Sequence, residues 1–196
     1  PTAHYKMAQH FTELLDNLRE KVSRMTASVQ LEVEQAVEAV LTVNVKLART
    51  VIDGDERIDQ EEVEIEKSAI DLLALFQPAA SDLRLITTII KVNGDFERIA
   101  DCAVNIAQRV PTLAGGQNRH YQPPNDLRIM SNTVITTLRD TIKAFNLPDA
   151  PLAQAVLKSD DVSFRTAPFD KNLPVLLGLC GVLPAQANPW MSAPAL

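Results

Sequence analysis

Glycine and aromatic residues are scarce in this chain: 6 glycines among 196 residues and 5% Phe, Trp and Tyr, against 46% apolar residues in all. The shortage speaks against an all-β fold, whose turns draw on Gly and whose faces draw on aromatics, and favours helices packed by Leu, Ile, Val and Ala. Cysteine is scarce too. Cys102 and Cys180 are far apart, and two thiols make no disulfide framework. The opening PTAHYKMAQHFTELLDNLREK lacks the apolar core of a secretory signal, so both thiols are expected to be reduced in a cytosol. Long hydrophobic runs are also missing. The longest, LPVLLGLCGVLPA at 173–185, is too short to span a bilayer and is bracketed by Pro. A soluble, cytoplasmic protein without direct membrane insertion is expected.

Basic charge is in deficit. The formal net charge is -6, with 12 Lys/Arg against 19 Asp/Glu in residues 1–113 and 7 against 6 in residues 114–196. Phosphate contacts need a basic surface, so nucleic acid is excluded as a general partner. An acidic membrane surface is disfavoured for the same reason. Cations or basic protein surfaces suit the first part of the chain better.

What the chain does have is helical periodicity over long distances. Phe11, Leu15, Leu18, Val22, Met25 and Val29 recur in steps of three and four, and the seam continues through Val33, Ala36, Val40 and Leu47. With no Pro or Gly between residues 2 and 53, this reads as one very long helix ending near Gly54. A second helix follows over about 55–76, with Ile58, Ile65, Ala69, Leu72 and Phe76 inward. Pro78 in QPAASD breaks it, and a third helix runs to about Val110, before Pro111 and the Gly115-Gly116 pair. Three long helices joined by short turns predict an all-α, antiparallel three-helix bundle over 1–113.

A linker over 114–125 leads to a new helix, DLRIMSNTVITTLRDTIKAF. At an offset of 105, Met25 falls on Met130, Ala39 on Ala144, Leu47-Ala48 on Leu152-Ala153, Val51 on Val156 and Asp55 on Asp160. Spaced matches of this kind predict a partial second copy of the unit over 126–162. Beyond it, residues 163–196 lose charge and helical period and gain Pro, so an irregular, divergent tail is expected there.

The residues that carry chemistry are acids. Asp55, Asp59, Glu62 and Glu66 step by 4, 3 and 4, placing four carboxylates on one face of the second helix, turned away from its core stripe. Glu97 and Asp101 form another i, i+4 pair on the third helix, flanking Arg98. Acids so spaced repel unless water or a cation screens them, and all-oxygen donors suit hard ions such as Mg²⁺, Mn²⁺ or iron. A solvated acidic face is the alternative, and Asp55 and Asp59 also suit the first turn of a helix without any metal.

Catalytic groups are sparse. His4, His10 and His120 are scattered, and none has the E-x-x-H spacing of di-iron bundles. No Ser-His-Asp or Cys-His arrangement stands at a meaningful spacing, and AGGQNR has neither the Lys-Ser/Thr nor the preceding strand of a phosphate-binding loop. The reading is therefore a protein that is not an enzyme. The alternatives are a purely structural helical adaptor without metal and a carboxylate-bridged metalloenzyme.

Residues 55–110 resemble the PhoU family of phosphate-uptake regulators. The resemblance rests on the D-x-x-x-D at Asp55/Asp59, the QPAASDLR turn at 77–84 and the ERIADCAVNIA block at 97–107, with LREKVSRM and LARTVIDGD matching the first helix. It implies tandem three-helix bundles and a metal site on Asp55, Asp59, Glu97 and Asp101, for an iron, Mn, Mg or Zn ion. It further implies a homodimer that represses phosphate-starvation signalling by contacting the phosphate-transporter ATPase and a sensor histidine kinase. Asn44 stands where the family usually has an acid and Ala100 where it has Gly. The second copy keeps Asp160 without an acid four residues on, so no second metal site is expected.

Overall fold

The computed structural model describes residues 2–115, 122–147 and 151–158, the side chains of residues 2–4 excepted. All regular structure among them is helical. The helices are α1 (Thr2–Thr42), α2 (Val45–Phe76), α3 (Ala80–Ala107), α4 (Val110–Gly115) and α5 (Asn125–Asn146), with a further helical stretch at 151–158. The expected irregular tail over 163–196, with Cys180 and the apolar run, lies outside the described residues, as does His120.

The first two helices divide at a different place from the one the sequence suggests. Gly54 does not end α1; it lies inside α2, in open space with no atom within 4 Å of where a Cβ would stand. The break comes at Val43-Asn44. Asn44 N–H donates to the Ala39 carbonyl at 2.8 Å and Val43 N–H to the Val40 carbonyl at 3.3 Å, which is the paired bonding of a Schellman stop. Asn44 then starts α2: its Oδ1 accepts from the Leu47 N–H at 3.0 Å. So Asn44 serves as a helix cap. The stop puts Val43 at φ 52°, a left-handed conformation that opposes a β-branched side chain. Val43→Gly should therefore raise stability by about 0.5–1 kcal/mol, the relieved strain exceeding the added freedom of the unfolded chain. Thermal denaturation checks this; a lower melting temperature would mean that Val43 packing outweighs its backbone strain.

The third helix also stops earlier than expected, at Ala107, and Pro111 does not end a helix but sits in the first turn of α4, where its missing N–H costs nothing.

The described residues part into two compact units, one formed by those up to Val29 with Glu56–Ile99, the other by Gln30–Asp55 with those from Ala100 onward. In the first unit, α1 and α2 run antiparallel: Phe11 meets Phe76 with ring centroids 5.3 Å apart, and Lys21 Nζ donates to Ser68 Oγ at 3.0 Å. Its core is the period read from sequence, with Leu15, Leu18, Val22 and Met25 on α1, Ile58, Ile65, Ala69 and Leu72 on α2, and Ile86, Ile89 and Phe96 on α3 all buried. Phe11 and Phe76, also read as inward, are only half-buried.

The core of the second unit is richer in small residues: Ala36, Ala39, Ala48, Ala100, Ala103 and Ala107 are buried, which lets helix axes approach closely. Here α5 joins α1 through Arg139, whose Nη2 donates to Glu34 Oε1 at 2.8 Å. That guanidinium is the chief reason the Glu34 carboxyl lies below its ordinary range. At the offset of 105, Met25 and Met130, Thr26 and Ser131, and Val33 and Leu138 are all buried, whereas Val29 and Ala36 are buried but their counterparts Val134 and Thr141 are exposed.

Candidate functional site: the acidic faces of α2 and α3

Each acidic motif is one turn of continuous helix. Asp55 and Asp59 lie on α2, Glu97 and Asp101 on α3. Asp55 and Glu97 are half-buried, whereas Asp59 and Asp101 are exposed. The division into units passes through both motifs, with Asp59 and Glu97 in the first and Asp55 and Asp101 in the second. Among the described residues, no three His, Cys, Asp or Glu side chains gather closely enough to hold a metal ion.

What the structure does bring together is a pair that sequence reasoning missed. Asn93 on α3 is only 1% exposed. Its Nδ2 donates to two acceptors on α2, the Glu62 backbone carbonyl at 2.9 Å and the Glu62 Oε1 at 3.1 Å. Glu62 therefore departs from the solvated face that its spacing suggested; it turns inward, half-buried, and ties α2 to α3. The signal was present. Ile89, Asn93, Phe96 and Ala100 step by 4, 3 and 4, so the helical period puts a lone amide on the core stripe of α3. A buried amide on such a stripe needs a partner, and the nearest polar face is the acidic one.

Burial holds the Glu62 carboxyl above its ordinary range, and the charges of Glu66 and Asp59 push it further up. The carboxyl thus binds a proton more tightly folded than unfolded, so its contribution to stability is full below the unfolded value near 4.5 and fades as pH rises through the higher folded value. Glu62→Gln keeps an oxygen to accept from Asn93 and removes two like-charge neighbours. Each such pair on a helix costs about 0.2–0.5 kcal/mol. Melting at pH 7 should rise by roughly 1–4 °C, and the gain should vanish near pH 4. A gain that persisted unchanged at pH 4 would rule out charge as its cause.

Against this fold, comparison with known proteins is consistent throughout. The PhoU domain matches residues 22–110. The Phosphate-specific transport system accessory protein PhoU homolog of Aquifex aeolicus is 40% identical over 147 residues, 75% of this chain and 66% of that protein. The homolog of the same name in Pseudomonas aeruginosa is 34% identical over 168 residues, 83% of this chain and 68% of that protein. The crystal structure of PhoU from Pseudomonas aeruginosa superposes with a TM-score of 0.74 at 29% identity, covering 92% of this chain and 88% of that one. An all-α helical-bundle protein with this sequence kinship is defined by its family: the chain belongs to the PhoU family. It spans about two thirds of the length of the relatives it matches, 66% for the proteins of Aquifex aeolicus and Thermotoga maritima.

Proposed function

We propose that this chain is a non-enzymatic accessory protein of phosphate uptake, acting in the cytoplasm by protein–protein contact. It restrains the high-affinity transporter and phosphate-starvation signalling by binding the transporter's ATPase and a sensor histidine kinase, and does so as a homodimer. One observation carries the reading: the same stretch of chain matches, in sequence and in fold, proteins named as accessory to phosphate-specific transport. No described helix is long and apolar enough to cross a membrane, which fits a partner that docks on membrane proteins from outside the bilayer. The test is retention of the transporter ATPase or the sensor kinase by the purified full chain from phosphate-replete cells, identified by mass spectrometry. Failure to enrich either over bare resin would overturn the reading.

A cation belongs to the same proposal. Asp55, Asp59, Glu97 and Asp101 supply only carboxylate oxygen, the donor chemistry of a hard ion, and a bound ion would neutralise their repulsion. At a concentration about 100 times its dissociation constant, an ion held in the native state alone adds about 2.7 kcal/mol. Melting in Mn²⁺ or Fe²⁺ should then rise by roughly 5–11 °C, and Glu97→Gln with Asp101→Asn should abolish the rise. A rise that survives in the double variant takes the ion elsewhere. No rise in the unaltered protein leaves a metal-free adaptor, the second reading.

A further inference from the structure

We propose that the outer face of α2, from Glu56 to Ala74, is a docking surface for a basic amphipathic helix of a protein partner. The proposal rests on the reading of this chain as an accessory acting by contact, and names where one contact falls. Helix α2 carries two apolar stripes. The inner one, through Ile58 and Ile65, is spent on the core of the first unit. The outer one is open to solvent among the described residues: Val63 is 61% and Ile70 51% exposed, the exposed Lys67 stands between them on the same face, and Ala74 is exposed beyond them.

Steps of seven and four residues keep these three apolar side chains within about 20° of one line along the helix. That is the spacing at which one helix receives the side chains of another laid along it. A single exposed Val or Ile is ordinary on a protein surface, but a seam with helical period on the solvent side of a bundle helix matches a helical partner.

The sign of charge beside the seam selects the occupant. Residues 56–76 hold seven acids and two bases, Arg57 and Lys67. Among the described residues Asp59 and Glu66, exposed on one flank of the seam, have no ion-pair partner; the nearby Glu64 has Lys21 at 3.8 Å. Their repulsion is felt at Glu62, whose carboxyl both of them push upward. A small cation would answer the charge and leave the seam wet. A second copy of this chain would bring the same negative sign to the contact. A helix with apolar residues seven apart and Lys or Arg beside them answers both needs at once.

The experiment measures binding of the full chain to the purified transporter ATPase and to the cytoplasmic part of the sensor kinase, at low and at high salt. Val63→Lys with Ile70→Lys should weaken binding at least about tenfold, as loss of a central apolar contact does. Ile129→Lys, an exposed apolar position on α5, should change it by less than about twofold. Affinity of the unaltered chain should fall as salt rises. Because both α2 positions face solvent, melting should stay near that of the parent; Val63→Ser with Ile70→Ser provides the same test if the lysines disturb the fold. Undiminished binding by the folded double variant overturns the docking face while leaving the accessory reading intact. An equal loss with Ile129→Lys also overturns it, since the contact then lies elsewhere. If the unaltered chain binds neither component, the accessory reading fails and this proposal falls with it.

Discussion

Asn93→Asp should lower the melting temperature by roughly 6–20 °C, equivalent to about 3–5 kcal/mol. Asn93 is almost wholly buried, and its Nδ2 holds the Glu62 carbonyl and the Glu62 carboxylate together. The substitution replaces that donor with a carboxylate oxygen of nearly the same shape. Two attractions become two repulsions, and a new charge is left without water or a counter-ion. Protonation restores a donor, so the loss should shrink as pH falls toward 4. Asn93→Leu separates the contributions: it buries no charge but strips Glu62 of its donor, and should cost about 1–3 kcal/mol, less than Asn93→Asp at neutral pH. The Asn93 Oδ1 is itself buried without a hydrogen-bond partner, so the native site already carries some polar cost. Melting of Asn93→Asp within a degree or two of the parent would show that the α2–α3 tie has no energetic weight.

Met25→Ala and Met130→Ala should differ although the two methionines match at the sequence offset of 105. Both are buried, but their surroundings are not alike. One turn further on, Val29 on α1 is 0% exposed, whereas Val134 on α5, its counterpart at the offset of 105, is 44% exposed. Truncating a methionine in a fully packed core costs about 2–5 kcal/mol, the larger part arising where the surroundings cannot collapse. Met25→Ala should fall in the upper part of that range, a drop in melting of roughly 8–15 °C. Met130→Ala should fall at or below its lower end, because water already reaches the neighbouring turn of α5. Denaturant unfolding of the two variants in parallel checks the order. Equal costs would mean that the face of α5 is sealed as well as that of α1.

Much of the architecture was legible before any coordinates. All but one of the buried apolar positions on α1 from Leu15 to Val40 lie on the seam read from three- and four-residue steps, Ala39 being the exception, because a helix with one dry face leaves that period in its sequence. The turn at 77–79 was equally readable, since Pro78 admits little else. The boundary between α1 and α2 was not. Gly54 looked like the stop, and Val43-Asn44 did not, because a β-branched residue in a left-handed conformation is disfavoured locally. Only the surrounding packing and the Asn44 cap make that conformation the better one. Propensity is a weak local term, and tertiary contacts overrode it.

The candidate site divides in the same way. Composition and spacing by themselves determined that Asp55, Asp59, Glu97 and Asp101 stand in one-turn pairs on helices, since i, i+4 geometry follows from the helix alone. They could not determine which acids turn inward. Glu62 and Glu66 look alike in sequence, yet Glu62 is drawn in by a buried amide on another helix while Glu66 stays in water. That choice depends on a residue thirty-one positions away, and on the register in which α3 lies against α2. A local period records which face is dry; it holds no record of what a neighbouring helix sets opposite each position, and this only the packed structure decides.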